Sequence, residues 1–159
     1  LLHDGGVAKA RFLLIGDGPE KERLVDKAKS WGLSNVSFYG SIPKNAVPRL
    51  FTAIDIATVS VRESPLYKYG VSINKLFDYM ACAKPIVWAA ESVNNPVAEA
   101  DCGITVPPGD SKEMAKAIMK LCDYSDEQRR GVGKRGYDYV MKYHSVPVLA
   151  PRLSEVLGY

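Results

Sequence analysis

The sequence predicts an α/β fold built on a mostly parallel sheet. Three observations carry that prediction. Short apolar runs, Phe12–Ile15, Ile54–Val61 and Ile86–Ala90, alternate with longer segments of helical period. The last two are rich in β-branched residues and nearly unbroken, as strands covered on both faces are. The Gly-, Asn- and Ser-rich stretches, Gly16–Pro19, Gly40–Lys44, Arg62–Asn74 and Glu91–Val97, fall where these runs end, and open parallel sheets place ligands outside those carboxyl ends. A single sheet of about five strands with helices on both faces is expected.

The segments in order give the following reading. Leu1 to Lys9 resembles the tail of a helix ending at Gly5-Gly6. Ala10–Gly16 is a strand. Pro19 opens a helix with Glu20 and Glu22 at its positive end. It runs to about Ser30 with Leu24, Val25 and Ala28 inward, and Gly32 closes it. Asn35–Gly40 alternates Val36 and Phe38 as a second strand. A helix covers about Asn45 to Ala53, a strand Ile54–Val61, and a polar, aromatic loop Arg62 to Tyr69.

Tyr69–Ala90 is the central unit. Gly70, Ser72 and Asn74 suit a loop and a helix start. Leu76, Phe77, Met80 and Ala81 then recur at one-face spacing, with Lys75, Asp78 and Tyr79 off that stripe. Pro85 bars the helix from continuing, and Ile86–Ala90 is a buried strand. Beyond it, Pro96 opens a brief helix and Gly103–Asp110 forms a last strand and turn. Asp110 or Ser111 caps a helix to about Asp123, with Met114, Ala117, Ile118 and Leu121 inward. Ser125 starts another helix to about Tyr143. Pro147 and Pro151 punctuate the end, leaving a helical turn or two over Arg152–Leu157.

Composition narrows the function. With 159 residues, 47% hydrophobic and 25% charged, the chain is long enough to bury its own core. A net charge of +3, without a basic block, does not point to nucleic acid. No apolar run is long enough to span a bilayer. Cys82, Cys102 and Cys122 read as small buried hydrophobes in a reducing compartment, hence a cytoplasmic setting. His3 and His144 lie far apart, so neither a metal nor another cofactor is expected.

Several features point to an anionic ligand. Gly16-Asp17-Gly18 is a glycine turn between strand and helix that a phosphate can approach, although a plain βα turn needs the same residues. It is neither a GxGxxG fingerprint nor a Walker loop, which argues against a dinucleotide oxidoreductase and a P-loop hydrolase. The helix opening at Asn74 offers free N–H groups and a positive dipole end to an anion. Lys75 in its first turn is misplaced for the dipole unless a phosphate is also present. Asp78, one turn in, suits ribose hydroxyls. Asn94-Asn95-Pro96-Val97 suits a backbone nest for phosphate or sugar. Each of these also has an ordinary structural use, as a turn, a solvated cap or an exposed charge.

Together, Ile15-Gly-Asp-Gly-Pro19, Asn35-Val-Ser-Phe-Tyr-Gly40, Asp78-Tyr-Met-Ala-Cys-Ala-Lys-Pro-Ile-Val87 and Val106-Pro-Pro-Gly-Asp110 resemble the donor-binding half of group 1 (family 4) glycosyltransferases. The Ser-Ile-Asn-Lys-Leu-Phe-Asp-Tyr-Met form resembles the branch that builds bacterial capsule and O-antigen chains. The resemblance implies a Rossmann-like, doubly wound sheet, the carboxyl-terminal half of a two-domain GT-B enzyme. It implies that residues 1–159 are a fragment, inactive alone, without the acceptor domain and the first strand and helix. The implied partners are a nucleotide-diphosphate sugar, held by Gly16 to Gly18, Gly70 to Ser72, Asn74, Lys75, Asp78 and Asn94 to Val97, and a glycan or lipid-linked acceptor. The implied chemistry is metal-free sugar transfer with retention, the full-length enzyme being cytoplasmic or peripheral at the inner face of the membrane. In the family's Glu-x7-Glu motif the second acid matches Asp78, but the first falls on Gly70, which has no carboxylate. Glu63 in the preceding loop is not aligned to that role. A nucleotide-sugar 2-epimerase and a non-catalytic nucleotide-sugar binding module are the alternatives.

Overall fold

The computed structural model describes residues 10–158, so the helix tail expected before Gly5-Gly6 lies outside the described residues. The chain divides into two compact units, Leu1–Leu50 and Phe51–Tyr159.

In the first unit, β1 (Phe12–Ile15) and β2 (Val36–Tyr39) pair in parallel, Phe12 opposite Val36 and Ile15 opposite Tyr39. They flank α1 (Lys21–Ser30) in sequence, and Gly32 after it takes φ +64°. Of the stripe expected inward on α1, Val25 and Ala28 are half-buried but Leu24 is exposed, as are Leu13 and Leu14 of β1. Among the described residues, two four-residue strands and one helix offer little apolar surface to one another.

The helix expected from Asn45 to Ala53 is a 3-10 turn at Lys44–Ala46 followed by α2 (Val47–Phe51). Pro48 has no N–H to donate to the Lys44 carbonyl, so Val47 N–H takes that acceptor in the tighter pattern.

The second unit holds β3 (Ala57–Ser60), β4 (Ile86–Ala89) and β5 (Gly103–Val106), paired in parallel in that spatial order. Among the described residues the five strands thus form a two-stranded and a three-stranded parallel sheet rather than the expected single one. Each strand is only four residues, a length at which apolar pattern does not fix neighbours. β4 is the centre of the core: Ile86, Val87 and Trp88 are 0% exposed, and Ala89 and Ala90 nearly so. The Trp88 indole N–H is buried without a partner among the described residues. Such a donor costs about 1–3 kcal/mol, offset by burial of the ring.

Around this sheet lie α3 (Asn74–Ala81), α4 (Pro96–Glu99), α5 (Ser111–Cys122), α6 (Asp126–Tyr143) and α7 (Val146–Leu157). The expected caps form. Asp110 accepts from Lys112 and Glu113 N–H at 3.0 Å each, and Ser125 with Gln128 closes a capping box. α5 buries Ala117, Ile118 and Leu121 as its spacing requires. α3 buries Leu76 and Met80, but Ala81 is exposed, and Tyr79, expected off the stripe, stacks on Phe51 with centroids 4.8 Å apart. A ring reaches a neighbour that a methyl at position 81 cannot. Cys122 is exposed at the end of α5, whereas Cys102 is buried and its thiol is pushed up to about 11 by that burial. α7 begins at Val146, not near Arg152: Pro147 sits in its first turn, where an N–H is unpaired anyway, and Pro151 costs one internal bond. Among the described residues no helix is long and apolar enough to cross a membrane.

α6 sits close to its neighbours through glycine. A Cβ at Gly133 would lie 1.9 Å from the Ala83 carbonyl oxygen, and one at Gly136 would meet Cys102 Cβ at 3.0 Å. Gly103 lets β5 lie against β4, since a Cβ there would fall 1.8 Å from the Ile86 carbonyl oxygen.

Candidate functional site

The three parallel strands of the second unit end together, and their carboxyl edge carries the loops 61–73, 90–95 and 107–110. A depression of about 340 Å³ there is lined by Ser60, Val61, Arg62, Glu63, Pro108 and Gly109. Arg62 and Glu63 line it without having been singled out as site residues. Their only sequence signal is their place directly after β3.

The loop after β3 forms a 3-10 turn, Pro65–Tyr69, where an irregular loop was expected. Ser64 caps it by accepting Leu66 N–H at 3.3 Å. The chain then reaches Gly70 at φ +106° and ψ 162°, a region essentially reserved to glycine. Val71, Ser72 and Ile73 lead into α3. Its N-cap residue is Ile73, which offers no side-chain oxygen, and neither Ser72 nor Asn74 supplies a cap. The first turn holds no acid, and Lys75 in it is exposed. The start of α3 therefore carries unneutralised positive dipole plus a lysine. Asp78 lies one turn further and is half-buried rather than on the open side. Burial first, and the Asp78 charge second, raise the pKa values of Tyr79 and Cys82.

The loop after β4 is tied to this one. Val71 N–H donates to Asn94 Oδ1 at 2.7 Å, and Asn94 Nδ2 donates to the Val71 carbonyl at 2.7 Å. The Val71 N–H and the Asn94 side chain are thus already paired. Asn95 caps α4, its Oδ1 accepting Ala98 N–H at 3.1 Å and its Nδ2 donating to Thr105 Oγ1 at 2.9 Å. Asn95 N–H donates to Glu99 Oε1 at 3.3 Å, and Glu99 Oε2 accepts the Tyr139 hydroxyl at 2.6 Å. Burial first, and that contact second, push Tyr139 up to about 12. Pro96 has no N–H, and its side chain and that of Val97 are buried. Glu99 and Tyr139 are 40 residues apart, so sequence carried no signal for this brace.

Gly16, Asp17 and Gly18 belong to the first unit. Gly16 turns at φ +140°. Asp17 accepts from Lys21 Nζ at 2.6 Å and from Ser41 N–H at 2.7 Å, bracing the turn after β1 to the one after β2. Those bonds hold its carboxyl at about 2, against an ordinary 3.8. The folded-state value is the lower one, so the brace contributes fully above pH 3.8 and is lost as pH falls through about 2. Asp17→Asn should therefore melt lower than the wild type at neutral pH. Acid melts should show the difference shrinking below pH 3.8. A gap that persists unchanged at pH 2 would show that the carboxylate's charge is not what braces the turn.

The family model described as "Glycosyl transferases group 1" matches residues 2–124, most of the chain. The chain belongs to this family. Among curated relatives, this group 1 glycosyltransferase chain is 26% identical over 140 residues to the 2-deoxystreptamine N-acetyl-D-glucosaminyltransferase of Streptomyces fradiae, covering 87% of the chain and 32% of that protein. Among solved structures it is similar to the sucrose-phosphate synthase of Thermosynechococcus elongatus, with a TM-score of 0.81, 22% identity, 95% of this chain and 38% of the other. It is also similar to Anabaena HepE in complex with UDP-glucose, with a TM-score of 0.75, 20% identity, 95% of this chain and 41% of the other. The glycosyltransferase chain thus has the parallel-sheet fold of these GT-B proteins and spans between 32% and 41% of their lengths.

Proposed function

We propose that this chain is the donor-binding, carboxyl-terminal domain of a longer GT-B glycosyltransferase. The enzyme transfers a sugar from a nucleotide diphosphate to a glycan or lipid-linked acceptor, with retention of configuration, in bacterial surface polysaccharide synthesis. It works in the cytoplasm at the inner face of the membrane, and the acceptor site lies in a domain outside this chain. The observation that carries the reading is the start of α3 at the carboxyl edge. In a chain of this family, that helix begins with no side-chain cap and no acid, and with Lys75 in its first turn.

Chemically, such a helix end suits a departing diphosphate. Negative charge grows on the leaving oxygen as the glycosidic bond to phosphate breaks. Fixed N–H dipoles and the Lys75 ammonium lower the energy of that charge without reorganising. Asp78 accepts hydrogen bonds from ribose hydroxyls on the same helix. In this reading no metal ion is required, because helix dipole and lysine supply the positive charge.

Gly70 favours a second reading, because a glycine lacks the carboxylate that the resemblance places there. A nucleotide-sugar 2-epimerase would then use the same donor site. The test is turnover by the full-length protein with a panel of nucleotide sugars beginning with UDP-glucose. Sugar transfer to an acceptor with release of nucleoside diphosphate supports the transferase. Interconversion of nucleotide sugars without release supports the epimerase. Binding without either leaves a binding module, and no binding at all overturns the donor site.

A further inference from the structure

Asn94 and Val71 stand 23 residues apart, in the loops after β4 and β3. The two bonds between them satisfy both backbone polar groups of Val71 with one carboxamide, as a rung of a β-ladder would. Next to this rung, Gly70 holds its glycine-only conformation, and a Cβ placed on it would stand 3.2 Å from Asn94 Oδ1 and 3.8 Å from Asn94 Cγ. Asn94 is itself held, because Ser92 Oγ donates to its carbonyl at 2.5 Å. Val93 N–H also reaches the Tyr67 carbonyl at 3.4 Å, joining the same two loops at a second point. The Asn94 side chain is half-buried, so these bonds compete less with water than surface ones.

We infer that Asn94 is a positioning residue of the donor site. Its amide locks the loop after β3 to the loop after β4 and fixes Gly70–Ile73 in the path that starts α3. It also stands against the Gly70 α-carbon, where a side chain at that position would begin. This inference rests on the donor-site reading above. On that reading, the position of the first acid is taken not by another acid but by a neutral amide bound to backbone. Two consequences follow. Residue 70 is glycine for its φ, and a Cβ there would also push Asn94 Oδ1 back by a few tenths of an ångström. The Val71 N–H is spent on Asn94, leaving the segment from Ser72 to Lys75 to meet the diphosphate.

The experiment is a binding comparison in the full-length protein. Calorimetry measures UDP-glucose, UDP and uridine on the wild type, Asn94→Ala, Gly70→Ala and the double variant. If the wild type ignores uridine nucleotides, the guanine, adenine and thymine sets replace them. Asn94→Ala should weaken UDP and UDP-glucose by roughly tenfold, while uridine changes by less than about twofold. Because both substitutions break one arrangement, the double variant should lose no more than the worse single one. Unchanged UDP binding by Asn94→Ala overturns the inference and leaves the donor site standing. Equal losses for UDP and uridine overturn it too, since a general loosening would produce them, and so do additive losses. A wild type that binds no nucleoside diphosphate overturns the donor site and this inference together. Should Asn94→Ala fail to fold, Asn94→Asp decides. It keeps the acceptor for Val71 N–H but sets a carboxylate against the Val71 carbonyl, so the same diphosphate-selective loss is expected, and its absence is contrary.

Discussion

Gly133→Ala and Gly103→Ala should each cost on the order of 4 kcal/mol or more, a large share of the about 5–15 kcal/mol that holds a domain folded. Their added Cβ atoms would stand 1.9 Å from the Ala83 carbonyl oxygen and 1.8 Å from the Ile86 carbonyl oxygen. Both obstacles are backbone, so no rotamer change relieves them, unlike ordinary overpacking at about 1–3 kcal/mol. Relief would need α6 to lift from the turn after α3, or β5 from β4. Gly131, in the same helix as Gly133, has nothing within 4 Å of such a Cβ. Gly131→Ala should therefore stabilise by about 0.5–1 kcal/mol, because helix propensity alone then acts. Denaturant melts of the three variants check this. Gly133→Ala melting like Gly131→Ala would show that α6 does not pack so closely.

Asp78→Ala should weaken nucleotide-sugar binding by about 1.5–3 kcal/mol, the range for hydrogen bonds to a charged group. Stability should change little, because alanine is the better helix former. Calorimetry on the full-length protein, paired with a thermal melt, reads both. Unchanged affinity would remove Asp78 from the ribose. A collapsed fold would make it a structural residue of α3 instead.

Local chemistry made much of this fold legible. Asp110 and Ser125 cap the helices that follow them, because a short oxygen side chain before a periodic run acts on its nearest N–H groups alone. The buried strand Ile86–Ala90 was readable because a run without polar residues has to be covered on both faces. What depends on distant partners was not. Gly133 and Gly136 look like poor helix residues until Ala83 and Cys102 are seen against them. Leu24 follows a helical stripe, yet among the described residues nothing buries it. Pro151 looks like a terminator, although an otherwise continuous helix tolerates one missing bond.

The candidate site divides the same way. The order of Gly70, Lys75 and Asp78 along the loop and helix is a local matter, readable from spacing. Asp17 drew attention as part of a glycine turn, but its carboxylate is occupied by Lys21 and Ser41. Asn94 looked like one end of a backbone nest, whereas its side chain reaches across to Val71. Asn, Asp and Ser serve loops and ligands through the same atoms, so composition cannot separate the two uses.

The central claim is that a diphosphate sits at the start of α3. Amide chemical shifts of the isotope-labelled full-length protein, titrated with matched pairs of nucleoside diphosphate and bare nucleoside, test it most directly. The account predicts that the diphosphate moves the amides of Ser72 to Lys75 most, and that the bare nucleoside leaves those amides nearly unmoved. Diphosphate shifts that spare Ser72 to Lys75 and gather elsewhere would contradict it.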